Sequence, residues 1–183
     1  AVAEVAGGIL AVGYSQNSAG VGERRIWKFP LTQASPTAVV TPLWSTGDGT
    51  FGDSIGSNGA WENIEVTSDA ILLSGLSKNW NTPAQMSDGP GFTFASYGNS
   101  EGEQAVVMKL PLSTVTSTTA APTAADIAAA KAAGAAWTVE LGMGSVKEAK
   151  QTADGQHVLA LVVQDAQQAG VAKRRYANGA AVW

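Results

Sequence analysis

The residues best equipped for chemistry lie in the segment Gly47-Asp48-Gly49-Thr50-Phe51-Gly52-Asp53-Ser54-Ile55-Gly56-Ser57-Asn58-Gly59. Two carboxylates, Asp48 and Asp53, stand among glycines and hydroxyls. That mixture can wrap side-chain and backbone oxygens around a hard cation such as calcium, the one cofactor for which the sequence makes room. No Glu closes a loop of EF-hand length from either Asp, so that pattern is absent. The competing reading is a long loop between strands whose Asp side chains cap turns.

Other chemistry is thinly supplied. The chain has a single His, His157, and no Cys, which excludes thiolate catalysis, disulfides, iron–sulfur clusters and zinc sites rich in His or Cys. A general base needs a partner and a pocket, and the neighbours of His157 identify neither. The carboxylate pairs Glu62/Glu65 and Glu101/Glu103 show no asymmetry that would assign one as acid and the other as base. Eleven Lys and Arg against fifteen Asp and Glu give a net charge of −4. With a pI near 4.9, the chain is unsuited to neutralising a run of phosphates, so no nucleic-acid partner is expected. The apolar stretch Val158–Val163 falls far short of the about twenty residues of a membrane span.

Aromatic residues offer binding rather than catalysis. Of six Trp, Trp27, Trp44, Trp137 and Trp183 fall on positions that repeat along the chain. They are expected to fill the spaces between sheets with their indole N–H groups tied to backbone carbonyls. Trp61, at a strand start, and Trp80, in a Gly-, Ser- and Asn-rich insertion, are expected as exposed contact residues. Trp80 with Phe92, Phe94 and Tyr97 forms the candidate binding set for a protein partner or a carbohydrate. Arg24-Arg25 and Lys173-Arg174-Arg175 sit at matching distances past an apolar strand and read as an edge or channel feature, or as cations that deter sheet-to-sheet aggregation.

The elements that must hold these residues recur. Three passages run in parallel. Ile9–Ser15 is followed by Arg24–Leu31 and then Val39–Trp44. Ile71–Ser77 is followed by Ala105–Leu112 and Ala136–Leu141. Val158–Val163 is followed by Lys173–Tyr176 and Ala180–Trp183. The string Lys28-Phe29-Pro30-Leu31 matches Lys109-Leu110-Pro111-Leu112. Trp61–Asp69 and Val146–Gly155 each end in an Asp-containing turn before an apolar strand. The order is strand, Asp turn, apolar strand, loop, Lys-bearing strand, loop, Trp-bearing strand. Extra residues fall between strands, where lengthening a loop costs little. One insertion, Pro122 to Gly134, predicts a short helix near 123–133: Thr123 and Asp126 make a capping box, an Ala-rich run follows, and Gly134 supplies the terminating residue.

Four strands per repeat is the layout of a β-propeller blade. The expectation is therefore an all-β single domain over 1–183, with repeats of about 9–70, 71–157 and 158–183. These make about two and a half four-stranded antiparallel sheets of an incomplete propeller. The alternative is a β-sandwich. A ring takes about four to eight blades, so a second chain or further sequence would complete it.

The passage Trp61-Glu62-Asn63-Ile64-Glu65-Val66, followed after a turn by Ile71-Leu72-Leu73-Ser74, resembles the six-bladed propellers of the gluconolactonase and calcium-dependent phosphotriesterase type. The resemblance implies an axial calcium that polarises a lactone or ester, with Asn63 as the carried-over ligand and Glu62 beside it. Here Asp69-Ala70 stands where that family has an Asp-Gly turn. The leading expectation is a binding or assembly module that meets partners through its inserted loops. The alternative is a calcium-dependent lactone or ester hydrolase. Few charges and many Gly, Ser and Thr suggest an extracytoplasmic or secreted setting.

Overall fold

The computed structural model describes residues 1–16, 22–32, 39–47, 49–51, 59–78, 103–165 and 168–183. Among these residues, eleven strands form three antiparallel sheets, each connected to its neighbour in chain order. The first holds β1 (Val2–Val5), β2 (Gly8–Gln16), β3 (Gly22–Phe29) and β4 (Trp44–Ser45). The second holds β5 (Gly59–Val66), β6 (Ala70–Lys78), β7 (Glu103–Pro111) and, after two helices, β8 (Trp137–Met143). The helices are α1 (Leu112–Val115) and α2 (Ala124–Ala132). The third sheet holds β9 (Ser145–Gln151), β10 (His157–Asp165) and β11 (Gln168–Arg175). An Arg174–Ala181 bridge and backbone bonds between Lys173 and both Val182 and Trp183 start a fourth strand there. The protein is all-β in its framework. Each sheet groups an apolar strand with the strand before it, so the sheets begin one strand earlier than the apolar anchors Ile9, Ile71 and Val158.

Register sets the same rung in all three sheets. Leu10 pairs with Lys28, and Lys28 with Trp44. Leu72 pairs with Lys109, and Lys109 with Trp137. Leu159 pairs with Lys173, whose N–H donates to the carbonyl of Trp183. Directly opposed residues share a face, so each rung places its lysine and its apolar partner on one side. Lys173 thus occupies the place of Lys28, and the Arg24-Arg25 pair belongs elsewhere on its strand.

The first strands of the second and third sheets carry equivalent bulges. Between Trp61 and Asn63, Glu62 is the extra residue opposite β6. Between Val146 and Glu148, Lys147 is the extra residue opposite β10. Beside the first bulge, where the strand bends, a Cβ at Gly75 would collide with the carbonyl oxygen of Ala60. No side chain fits there without moving that strand.

Alternation decides the layering, because successive residues of a strand point to opposite faces. Ile71, Leu73, Val106, Met108 and Leu110 face the first sheet, where they meet Leu10, Val12, Ile26 and Trp44. Ala70, Leu72, Ala105 and Val107 face the third, meeting Val146, Ala149, Val158 and Ala160. β5 packs on β1, β2 and β3, while β9 packs on β5, β6 and β7. The second sheet is therefore covered on both faces. That is a stack of three layers in series, not a pair of closed ones.

Helix α2 forms where the local sequence predicts it. Thr123 accepts from the Asp126 N–H while the Asp126 carboxylate accepts from the Thr123 N–H, closing the capping box. The Thr123 hydroxyl also donates to the Asp126 carboxylate, and this bond, with that from the Thr123 N–H, holds the carboxyl below its ordinary range. Gly134, at φ 71°, ends the helix in the left-handed region. Ile127 is the buried residue of α2 and joins the core between the first two sheets. Among the described residues, no helix is long and apolar enough to cross a membrane.

Candidate functional site

Polar side chains tie each sheet to the next, and the tryptophan of the fourth strand does so at both interfaces. Trp44, on the fourth strand of the first sheet, donates its indole N–H to the carbonyl of Ser117 at 2.7 Å. Trp137, on the fourth strand of the second, donates to the carbonyl of Tyr176 at 2.9 Å. Tyr176 directly follows the third strand of its sheet, while Ser117 lies beyond α1, which follows the third strand of the second sheet. Three residues after each third-strand lysine, Leu112 packs back on the preceding sheet, as does Tyr176. The Leu112 N–H donates to the carbonyl of Asp69 and the Tyr176 N–H to that of Gln156, which are equivalent turn positions.

The lysines add to both ties. The Lys28 ammonium, fully buried, donates to the carbonyls of Ala6, Val115 and Thr116. Burial lowers its pKa below the ordinary lysine value. Lys109 lies 3.9 Å from the ring centre of Tyr176 and 3.4 Å from the Asp69 carboxylate. The Tyr176 hydroxyl donates to Asp69 and is also bonded to the Thr67 hydroxyl. Burial, then the bond to Asp69, raises the Tyr176 pKa to about 12. The same bond, aided by Lys109, holds Asp69 below its ordinary value. Lys28, Asp69, Lys109 and Tyr176 could carry proton chemistry by type, yet each is occupied in an interface between sheets.

The predicted candidates distribute as follows. Asn63 lies on β5, and its side-chain oxygen accepts from the N–H of Ile64. Asp48, Asp53, Trp80, Phe92, Phe94 and Tyr97 lie outside the described residues. Trp61, expected to be exposed, is 1% exposed. It stacks edge-on against Phe51, with the Arg24 guanidinium 4.8 Å from its ring centre. Arg24 is buried as well and donates to the carbonyl of Phe51, so the edge role expected of it does not hold. Both corrections have one cause: the partners come from a neighbouring sheet and a connecting loop, which strand alternation does not reveal.

The Glu62/Glu65 pair also bridges sheets, while Glu101 lies outside the described residues. Glu62 forms an ion pair with Lys147 at 2.7 Å, joining the two bulge residues. Glu65 accepts from the N–H of Gln151, while burial raises its pKa. His157 follows a turn in which Thr152 and Asp154 bond each other, matching Thr67 and Asp69 before β6. The string Gly52-Asp53-Ser54-Ile55-Gly56 has the spacing of a nucleophile elbow, but that device needs a strand-to-helix turn. These five residues lie outside the described ones. Among the described residues no three His, Asp or Glu side chains gather as a metal site. An open groove of about 540 Å³ beside Leu141, Val162, Gln164 and Gln168 is lined, among the described residues, by no acid, base or thiol.

What remains available for function is surface. On the outward face of the first sheet, Ile9 opposes Phe29 and Ala11 opposes Trp27, all half-buried. On the outward face of the third, Leu159, Leu161 and Val171 are exposed. Among the described residues no further sheet covers either face. Each end of the stack exposes apolar side chains among charged ones, a composition suited to a contact surface. No protein family, no curated protein and no solved structure matches this chain.

Proposed function

We propose that the chain contributes three blades of a β-propeller and works as a binding or assembly module, its ring completed by further sheets and its partners met through the inserted loops. One observation carries this reading. The tryptophan tie, the third-strand lysine and the back-packed residue three positions later recur at both interfaces between sheets. A motif that repeats from layer to layer is suited to further addition, because each sheet offers the next the surface it received from the last. The apolar outward faces support the same view. With Lys, Tyr and carboxylate groups occupied in the ties, the described surface favours recognition over turnover.

The test is capture of binding partners by the chain and by a variant with Trp80, Phe92, Phe94 and Tyr97 all changed to Ala. Loss of the captured proteins with an unchanged melting temperature supports the module. Undiminished capture overturns the role given to the loop. Thermal melting with added calcium separates this reading from a metal-dependent hydrolase. A Tm that climbs with the logarithm of calcium excess would favour the hydrolase, and a flat one the module.

A further inference from the structure

The two ends of the stack carry opposite halves of one contact. At the internal interfaces the fourth-strand tryptophan is buried, with Trp44 and Trp137 each 7% exposed. The matching residue of the third sheet, Trp183, is 65% exposed and stands with its ring centre 5.9 Å from the Lys173 ammonium. That is the giving half of a tie. The receiving half lies at the other end, where Leu31 occupies the place of Leu112 and Tyr176. Tyr176 is 8% exposed and Leu31 52%.

Building on the blade reading, we infer that a second copy of this chain docks head to tail, the third sheet of one copy on the first sheet of the other. Both halves of the tie belong to one chain, so the surface is complementary to itself across two ends. Charge agrees. At the interface of the second and third sheets, the Glu65 carboxylate accepts from the backbone N–H of Gln151, so these two positions lie opposite each other. Moved one sheet along by register, the corresponding residues are Lys150, paired with Leu159 as Glu65 is with Leu72, and Glu4, paired with Ile9 as Gln151 is with Val158. A lysine on one copy would therefore face a glutamate on the other, and both are exposed in the single chain. A head-to-tail contact closes when its rotation completes a circle. Two copies of three sheets supply six, inside the four to eight of closed propellers.

Native mass spectrometry and sedimentation equilibrium of the chain, over about 1 to 100 µM, test this. The expected species has twice the 18.6 kDa chain mass. Trp183→Ala and Leu31→Glu should each weaken association by about tenfold or more. Lys150→Glu should weaken it as well, and adding Glu4→Lys to the same chain should restore it. All four residues are exposed, and melting curves verify that the variants stay folded. A single copy throughout the range, or a dimer indifferent to these changes, overturns the docking. Either result leaves the blade reading to stand or fall on the loop variants alone.

Discussion

At the scale of single residues, the tie between the second and third sheets concentrates its energetics on Tyr176, Asp69 and Trp137. The Tyr176 pKa is raised to about 12 in the folded chain, against about 10 unfolded. The folded state therefore holds a proton that the unfolded state loses. That contribution is complete below pH 10 and disappears as pH rises through 12. Asp69 works in the opposite sense: its lowered pKa favours folding above the ordinary Asp range, and the benefit fades as pH falls through it. Tyr176→Phe should flatten both arms of a plot of stability against pH, and denaturant titrations from pH 2 to 11 would measure this. The indoles give a second comparison. Trp137→Phe leaves the Tyr176 carbonyl unpaired in a buried place and should cost about 1–3 kcal/mol. Trp183→Phe in the single chain should cost almost nothing, since its ring is largely in water. Equal costs in urea unfolding would contradict the difference drawn between these two positions.

At the scale of elements, α2 is an insertion held by its own cap and by one buried anchor. Thr123→Ala removes half of the capping box and should cost about 1 kcal/mol. Ile127→Ala opens a hole in the core between the first two sheets and should cost about 2–5 kcal/mol. If α2 were a loosely attached spacer, the second change would cost no more than the first. The bulges at Glu62 and Lys147 show how an irregular element serves the whole: each turns an extra residue out of its ladder, and the two extra side chains then join their sheets.

At the scale of the whole molecule, burial is unequal across the stack. The second sheet lies between two others, and Ile71–Leu73 and Val106–Met108 are all but inaccessible. β11, by contrast, is exposed along its first half. Local opening follows buried contact, so amide exchange should be slowest in β6 and β7 and fastest in β1 and β11. Uniform protection across the three sheets would mean that the outer layers are covered in solution. In that case the slow exchange should extend to Leu159 and Leu161, on the outward face that the head-to-tail dimer would bury.

Some of this was present in the order of residues. Apolar strands at Ile9, Ile71 and Val158, lysine strands ending in Pro-Leu, and tryptophan strands after them follow from alternation and turn chemistry. Both act over a few residues. The helix at 123–133 was legible for the same reason, as Thr123, Asp126 and Gly134 act within one or two turns. Tertiary structure decided the rest, because the deciding contacts join residues far apart in sequence. Trp61 went inward because Phe51 and Arg24 converge on it from other elements. The Asn63 side-chain oxygen accepts from the N–H of Ile64, a contact that strand alternation does not announce. Tyr176 became the counterpart of Leu112 although no Pro-Leu marks it, since register fixes a position by hydrogen bonds whatever side chain it carries.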